Sequence, residues 1–144
     1  MAQLAREFGA YVIGTGRAVD REAALDFGAN EFLSLDDEDL EDIGGVDLVF
    51  DVIGGDIQRR SASIIRPGGT LVSVVGPAEA RRVGGLAVDF VVESVPSQLA
   101  EIVDRVRDRR LRTRIGTVAT LDDAVPALNP SERRKGKTVI RVRP

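Results

Sequence analysis

Val46-Asp-Leu-Val-Phe-Asp-Val-Ile-Gly-Gly55 decides how this chain is read. Leu48-Val49-Phe50 is too short an apolar run for a helix and too continuous for a strand with one wet face. It reads as a parallel-sheet strand covered on both sides. Val52-Ile53-Gly54-Gly55 then turns the chain, and Asp56 is placed to cap a helix running toward Ile65. In open sheets of alternating strands and helices, ligands sit at such turns, beyond the carboxyl ends of the strands.

Working outward, the same strand–turn–helix unit recurs. Upstream, Met1 to Phe8 reads as helix, with Leu4, Ala5 and Phe8 on one face and Gly9 as the stop. Tyr11 to Thr15 reads as a buried strand. Asp20 to Phe27 is a short helix with Asp20 as N-cap and Gly28 just past its end. Glu31 to Leu33 is a brief strand, and Asp36 to Asp42 an exposed acidic segment. Downstream, Pro67-Gly-Gly69 signals a turn feeding a covered strand at Thr70–Val75. Ala78 to Gly85 reads as a surface loop and Ala87 to Val92 as a strand. Pro96 to Arg110 is the clearest helix: Leu99, Ile102, Val103 and Val106 share one face, and Glu101 stands four residues before Arg105.

The pattern changes after Arg110. Arg112 to Val118 alternates polar and apolar, Leu121 to Leu128 is a short helix, Asn129 to Lys135 a polar loop, and Thr138 to Val142 a final strand. The expected division is therefore residues 1–110 and 111–144. Repeated strand–helix alternation implies α/β architecture, a Rossmann-like doubly wound parallel sheet.

Composition removes several kinds of chemistry. With no Cys and no His in 144 residues, disulfides, Cys/His zinc sites, serine–histidine catalysis and imidazole acid–base steps are excluded within the chain. A net charge of −3 gives no reason to expect a nucleic-acid partner. The six arginines between Arg105 and Arg114 are interleaved with Asp104 and Asp108 and lack aromatic companions, so they read as a solvated face. Asp36 to Asp42 lacks the spaced oxygen ligands of a calcium loop. No metal site is expected. No apolar run is long enough to cross a bilayer, no membrane partner is expected, and the cytoplasm is the default location.

The G-x-G-x-x-G fingerprint of dinucleotide-binding domains is absent. Were a glycine-rich turn to precede Met1, Gly16-Arg17 would fall about twenty residues after it, where the adenosine ribose is read. The segment Gly14-Thr-Gly-Arg17 carries no acid to accept from ribose hydroxyls. Arg17 therefore reads as the cation for the 2′-phosphate of NADP, with Thr15 lending a hydroxyl and Gly16 a close backbone approach. Arg21, one turn into a helix, is a weaker candidate.

Ala2-Gln-Leu-Ala-Arg-Glu-Phe-Gly-Ala10, Leu25-Asp-Phe-Gly-Ala-Asn30, Val46–Gly55, Arg66-Pro-Gly-Gly-Thr-Leu-Val72, Phe90-Val-Val-Glu93 and Arg134-Lys-Gly-Lys-Thr-Val139 occur in order over nearly the whole chain. Together they resemble the cofactor domain of the medium-chain dehydrogenase/reductase family, in its zinc-independent quinone oxidoreductase branch. The resemblance implies hydride transfer from NADPH to a quinone or an α,β-unsaturated carbonyl, with the chain holding and orienting the nicotinamide. It implies cofactor contacts at Asp51, Val52, Ile53 and Gly54, at Val75 and Gly76 beside the nicotinamide ribose, and at Phe90 and Val91 beside the carboxamide. Lys137 resembles a family lysine near the cofactor, but reads more simply as an exposed charge. No catalytic acid or base is assigned.

Family members also carry a GroES-like domain, a first strand and a glycine-rich loop that these 144 residues do not contain. The resemblance thus implies a fragment: residues 111–144 would return toward the missing domain, dinucleotide would bind weakly, and quinone reduction by the isolated chain would be undetectable. The family's strand order places the missing strand between Tyr11–Thr15 and Val46–Asp51, leaving two edges open to pairing. A homodimer is expected. The alternative reading is a non-catalytic dimerisation module with a vestigial nucleotide site.

Overall fold

The chain folds as two units, Met1–Val95 and Pro96–Pro144. They are seen in a computed structural model that describes residues 1–76, 86–89, 92–129, 131 and 135–143. The division falls ahead of Arg110, so the long helix belongs to the second unit.

In the first unit, α1 (Ala2–Glu7), β1 (Ile13–Gly16), α2 (Arg21–Asp26), β2 (Glu31–Ser34), β3 (Val46–Asp51), α3 (Gly55–Ser63), β4 (Ile65–Ser73) and β5 (Leu86–Asp89) follow in order. Every strand pair is parallel, as the strand–helix alternation requires. The strands form two sheets, β1-β2 and β3-β4-β5, and among the described residues β1 and β3 do not pair. The core of the larger sheet is Ala62, Ile65 and Leu71, with Val46 and Val49 packed against it.

Covering is less even than the apolar runs suggest. Alternation along β3 puts Val49 on the face beneath α3 and Leu48 on the other, where it remains 53% exposed. β3 is therefore not buried on both sides, and β1 is likewise only partly buried. Phe32–Ser34 of β2 are buried throughout, whereas in β4 Ile65, Gly69, Leu71 and Ser73 are buried and Val72 only partly so. Phe8 is exposed rather than packed, and α1 buries no residue. Leu40, within the segment read as a solvated acidic turn, is almost wholly buried.

Pro67-Gly-Gly69 is not a turn ahead of a strand but an irregularity inside one. β4 pairs at Val46–Ile65 and resumes at Leu48–Thr70, so Arg66–Gly69 is looped out of the ladder. Gly69 is required there: a Cβ would collide with Ile65 and lie 2.7 Å from the Asp47 carbonyl oxygen.

In the second unit, α4 (Pro96–Arg107) precedes β6 (Ile115–Thr120), α5 (Ala124–Leu128) and β7 (Lys137–Arg141). Arg109 adopts φ +60°, a left-handed conformation that ends α4 before Arg110. The Glu101–Arg105 pair forms at 2.7 Å, and Arg107 and Arg110 pair with Asp104 and Asp108. The stripe of Leu99, Ile102, Val103 and Val106 is at least a third exposed throughout. β6 and β7 form a parallel pair whose alternate residues are exposed, as the polar–apolar pattern anticipates. The loop read at Ala78–Gly85 and part of that at Asn129–Lys135 lie outside the described residues.

Candidate functional site

Two turns leave the carboxyl ends of adjacent strands: Val52–Gly54 after β3, and Val74–Gly76 after β4. Asp51 and Ser73, the last residues of those strands, are partners in the parallel register. Both are buried, at 5% and 2% exposure, together with Gln58 from the first turns of α3 at 2%.

The Asp51 carboxylate accepts four hydrogen bonds. Oδ1 takes the Ile53 and Gly54 backbone N–H groups at 3.0 and 2.9 Å, and Oδ2 takes Gln58 Nε2 and the Ser73 hydroxyl, each at 2.9 Å. Burial alone would raise its pKa. The donors from Gly54, Gln58, Ile53 and Ser73 outweigh that and hold it below the ordinary carboxylate value. Ser73 Oγ also accepts from Gln58 Nε2 at 2.9 Å and from the Val75 N–H at 3.3 Å.

This arrangement explains how α3 begins. Gly54 is its N-cap and no side chain, Asp56 included, makes a cap hydrogen bond; the Asp51 carboxylate instead takes the Gly54 N–H just ahead of the first turn. Gly54 sits at φ +79°, ψ −169°, a region open essentially only to glycine, and a Cβ there would approach Val75 Cγ1 to 3.2 Å. The side chains above the polar cluster are apolar and open to solvent: Val52 60%, Ile53 48%, Val74 43% and Val75 52% exposed. Buried polar groups beneath exposed apolar ones invert the usual order, as expected of a surface shaped for contact.

At the tip of β1, Thr15 and Arg17 are exposed, and the Arg17 Nε lies 3.7 Å from Asp20 Oδ2. Two residues past β2, Asp36 Oδ2 accepts the Ala18 N–H at 2.9 Å. Gly16 has no left-handed backbone, and a Cβ would make only ordinary contact with Phe32. Arg21 is tied into the scaffold, donating to the Phe32 carbonyl and the Glu38 carboxylate at 2.7 Å each while lying over the Phe32 ring.

Phe90 and Val91 lie outside the described residues. Lys137, exposed on β7, belongs to the second unit. A shallow hollow of about 260 Å³, lined by Arg6, Gly9, Ala10, Tyr11 and Asn30, opens before the amino end of β1, away from these turns. Gln58 and Ser73 were not among the residues the sequence singled out. Asp51 followed by glycine at the third position is a signal for a side-chain-closed turn. The role of Ser73 depends on a register that one sequence does not reveal.

Comparison with known proteins places these turns in context. Residues 27–140 match the family model described as zinc-binding dehydrogenase. No curated protein sequence matches the chain. Among solved structures, the quinone oxidoreductase from Coxiella burnetii superposes with TM-score 0.85 at 26% identity, over 99% of this chain and 48% of that one. A 2-haloacrylate reductase superposes with TM-score 0.82 at 23% identity, over 100% of this chain and 53% of that one. An alcohol dehydrogenase superfamily protein from Novosphingobium aromaticivorans gives 0.78 at 24%, over 99% and 51%. The chain spans about half the length of these solved proteins. The chain has no Cys and no His, and among the described residues no cluster of acidic side chains could hold a metal.

Proposed function

Because this chain belongs to the zinc-binding dehydrogenase family and has the fold of the cofactor-binding domain of medium-chain dehydrogenases/reductases, we propose that it is the nicotinamide-holding part of an NADP-dependent oxidoreductase. The reaction class is hydride transfer from NADPH to a quinone or an α,β-unsaturated carbonyl, a proton from solvent completing the reduced product. The similarity to a quinone oxidoreductase supports that choice of acceptor. The hydride chemistry is the cofactor's own; the chain binds and orients it.

The observation that carries the NADP reading is the exposed Arg17 guanidinium at the carboxyl tip of β1. Its pair with Asp20 is long, and each side chain is about half exposed, so the pair is weak in water. A phosphate dianion offers Arg17 a stronger, charge-assisted partner. The residues at the β3 and β4 turns suit the other end of the ligand. Val52, Ile53 and Val75 offer apolar contact to a planar ring and its ribose, and Asp51 has no acceptor position left to compete with.

Titration of the chain with NADPH and NADH, followed by nucleotide fluorescence, tests this. NADPH is expected to bind about tenfold or more tightly. Equal affinities would remove the phosphate site from Arg17, and no binding of either would remove the cofactor reading.

A further inference from the structure

We propose that Asp51, Gln58 and Ser73 form a positioning device that locks the turns after β3 and β4 into one ligand-facing surface, so that the three residues set affinity for the nicotinamide end of the ligand without touching it. The inference rests on the cofactor reading above and adds a role for residues that it leaves unassigned.

Asp51 and Ser73 use their full hydrogen-bonding valence. A carboxylate has about four acceptor positions, and a hydroxyl one donor and two acceptor positions. Asp51 fills all four of its own: two from the Val52–Gly54 turn, one from α3 and one from β4. Ser73 fills its three with Asp51, Gln58 and the N–H of Val75 in the second turn. Gln58 Nε2 divides its two protons between Asp51 and Ser73. A single closed cluster therefore reaches both turns, and no capacity of Asp51 or Ser73 is left for a ligand.

Stability alone does not call for such a cluster. A buried ionised group surrounded by polar partners is often matched or bettered by well-packed apolar residues of the same volume. A saturated network does supply direction: it allows only one arrangement of the groups it joins. Here the groups are the backbone N–H donors of Ile53, Gly54 and Val75, and the side chains carried on that backbone are the exposed Ile53 and Val75. Close contact at Gly54, where a Cβ would reach Val75 at 3.2 Å, shows that the two turns already abut.

Ser73→Ala and Ser73→Thr, measured in the 144-residue chain with two probes, test the proposal. NADPH spans the whole ligand, whereas 2′,5′-ADP carries only the phosphate-bearing adenosine end. Ser73→Ala should weaken NADPH about tenfold while leaving 2′,5′-ADP within about twofold of wild type. Ser73→Thr, which keeps the hydroxyl, should restore NADPH binding. A merely structural role for Ser73 would weaken both probes together. That result, or unchanged NADPH affinity in a folded Ser73→Ala chain, would overturn the positioning role and leave the cofactor reading intact. Failure of wild type to bind either probe would overturn the cofactor reading, and the positioning role with it. Should Ser73→Ala not fold, Gln58→Glu, which sets a second carboxyl against Asp51, is measured with the same probes and judged by the same pattern.

Discussion

Asp51 and Ser73 stand opposite each other at the ends of β3 and β4, and the Ser73 hydroxyl donates to the Asp51 carboxylate across 2.9 Å in a fully buried setting. The pair closes the ladder where the two turns begin. Its strength depends on Asp51 being ionised, which gives the fold an acid limit.

The folded pKa of Asp51 is depressed, so its contribution to stability is complete above the unfolded carboxylate value of about 3.9. It is lost as pH falls through the lower folded value. Glu41, lowered to about 2 chiefly by its bond to Arg60, acts in the same direction. Asp51→Asn should cost about 1–3 kcal/mol at neutral pH, because an amide NH2 faces donors that need an acceptor. The variant should also show a flatter loss of stability below about pH 4. Urea unfolding at several pH values checks both. Parallel pH curves for variant and wild type would remove Asp51 from the acid limit.

Gly54→Ala should destabilise the chain by about 1–3 kcal/mol, since its backbone lies in a region that side chains avoid. The added methyl also meets Val75. Gly55→Ala is the internal control: its φ of +57° is a left-handed value of milder cost, and no atom lies near its Cβ. Thermal melts of the two variants should therefore differ, with Gly54→Ala the lower.

At the β1 tip, Arg17→Ala should weaken NADPH by about 1.5–3 kcal/mol and NADH hardly at all. Asp20→Asn should do the reverse, strengthening NADPH by releasing Arg17 from its ion pair. Nucleotide titrations of both variants read the outcome. Equal losses for the two nucleotides in Arg17→Ala would remove Arg17 from the phosphate site.

The order of strands and helices was legible because each is written locally, in apolar runs, spaced stripes and glycine stops such as Gly9 and Gly28, both left-handed in the structure. Burial was less legible. Leu48 and Phe8 look like core in sequence, yet their burial depends on which element lies over them. The site divided in the same way. Asp51 and Gly54 could be seen as a turn, whereas Ser73, Gln58 and Asp36 reach it through register, helix phase and strand pairing. The looped-out Arg66–Gly69 shows the same limit: its residues signal a turn, but only pairing reveals that the strand continues through it.

Strand edges motivate a prediction of self-association. β1 pairs only with β2 and β3 only with β4 among the described residues, and Leu48 adds exposed apolar surface beside an open edge. Open edges without Lys or Pro pair readily with other chains. A homodimer or larger species is expected in sedimentation equilibrium at micromolar concentration. A cooperatively melting monomer would show that neither edge is available for pairing.

A nicotinamide dinucleotide is expected to dock at the carboxyl ends of β1, β3 and β4. The most direct test is a titration of the ¹⁵N-labelled chain with NADPH, followed by amide NMR. Shifts are expected at Thr15–Ala18, at Val52–Gly54 and at Val75–Gly76, with Asp36 moving beside Ala18. Shifts confined to other surfaces, such as the hollow at Arg6, Tyr11 and Asn30, or no shifts at millimolar nucleotide, would contradict it.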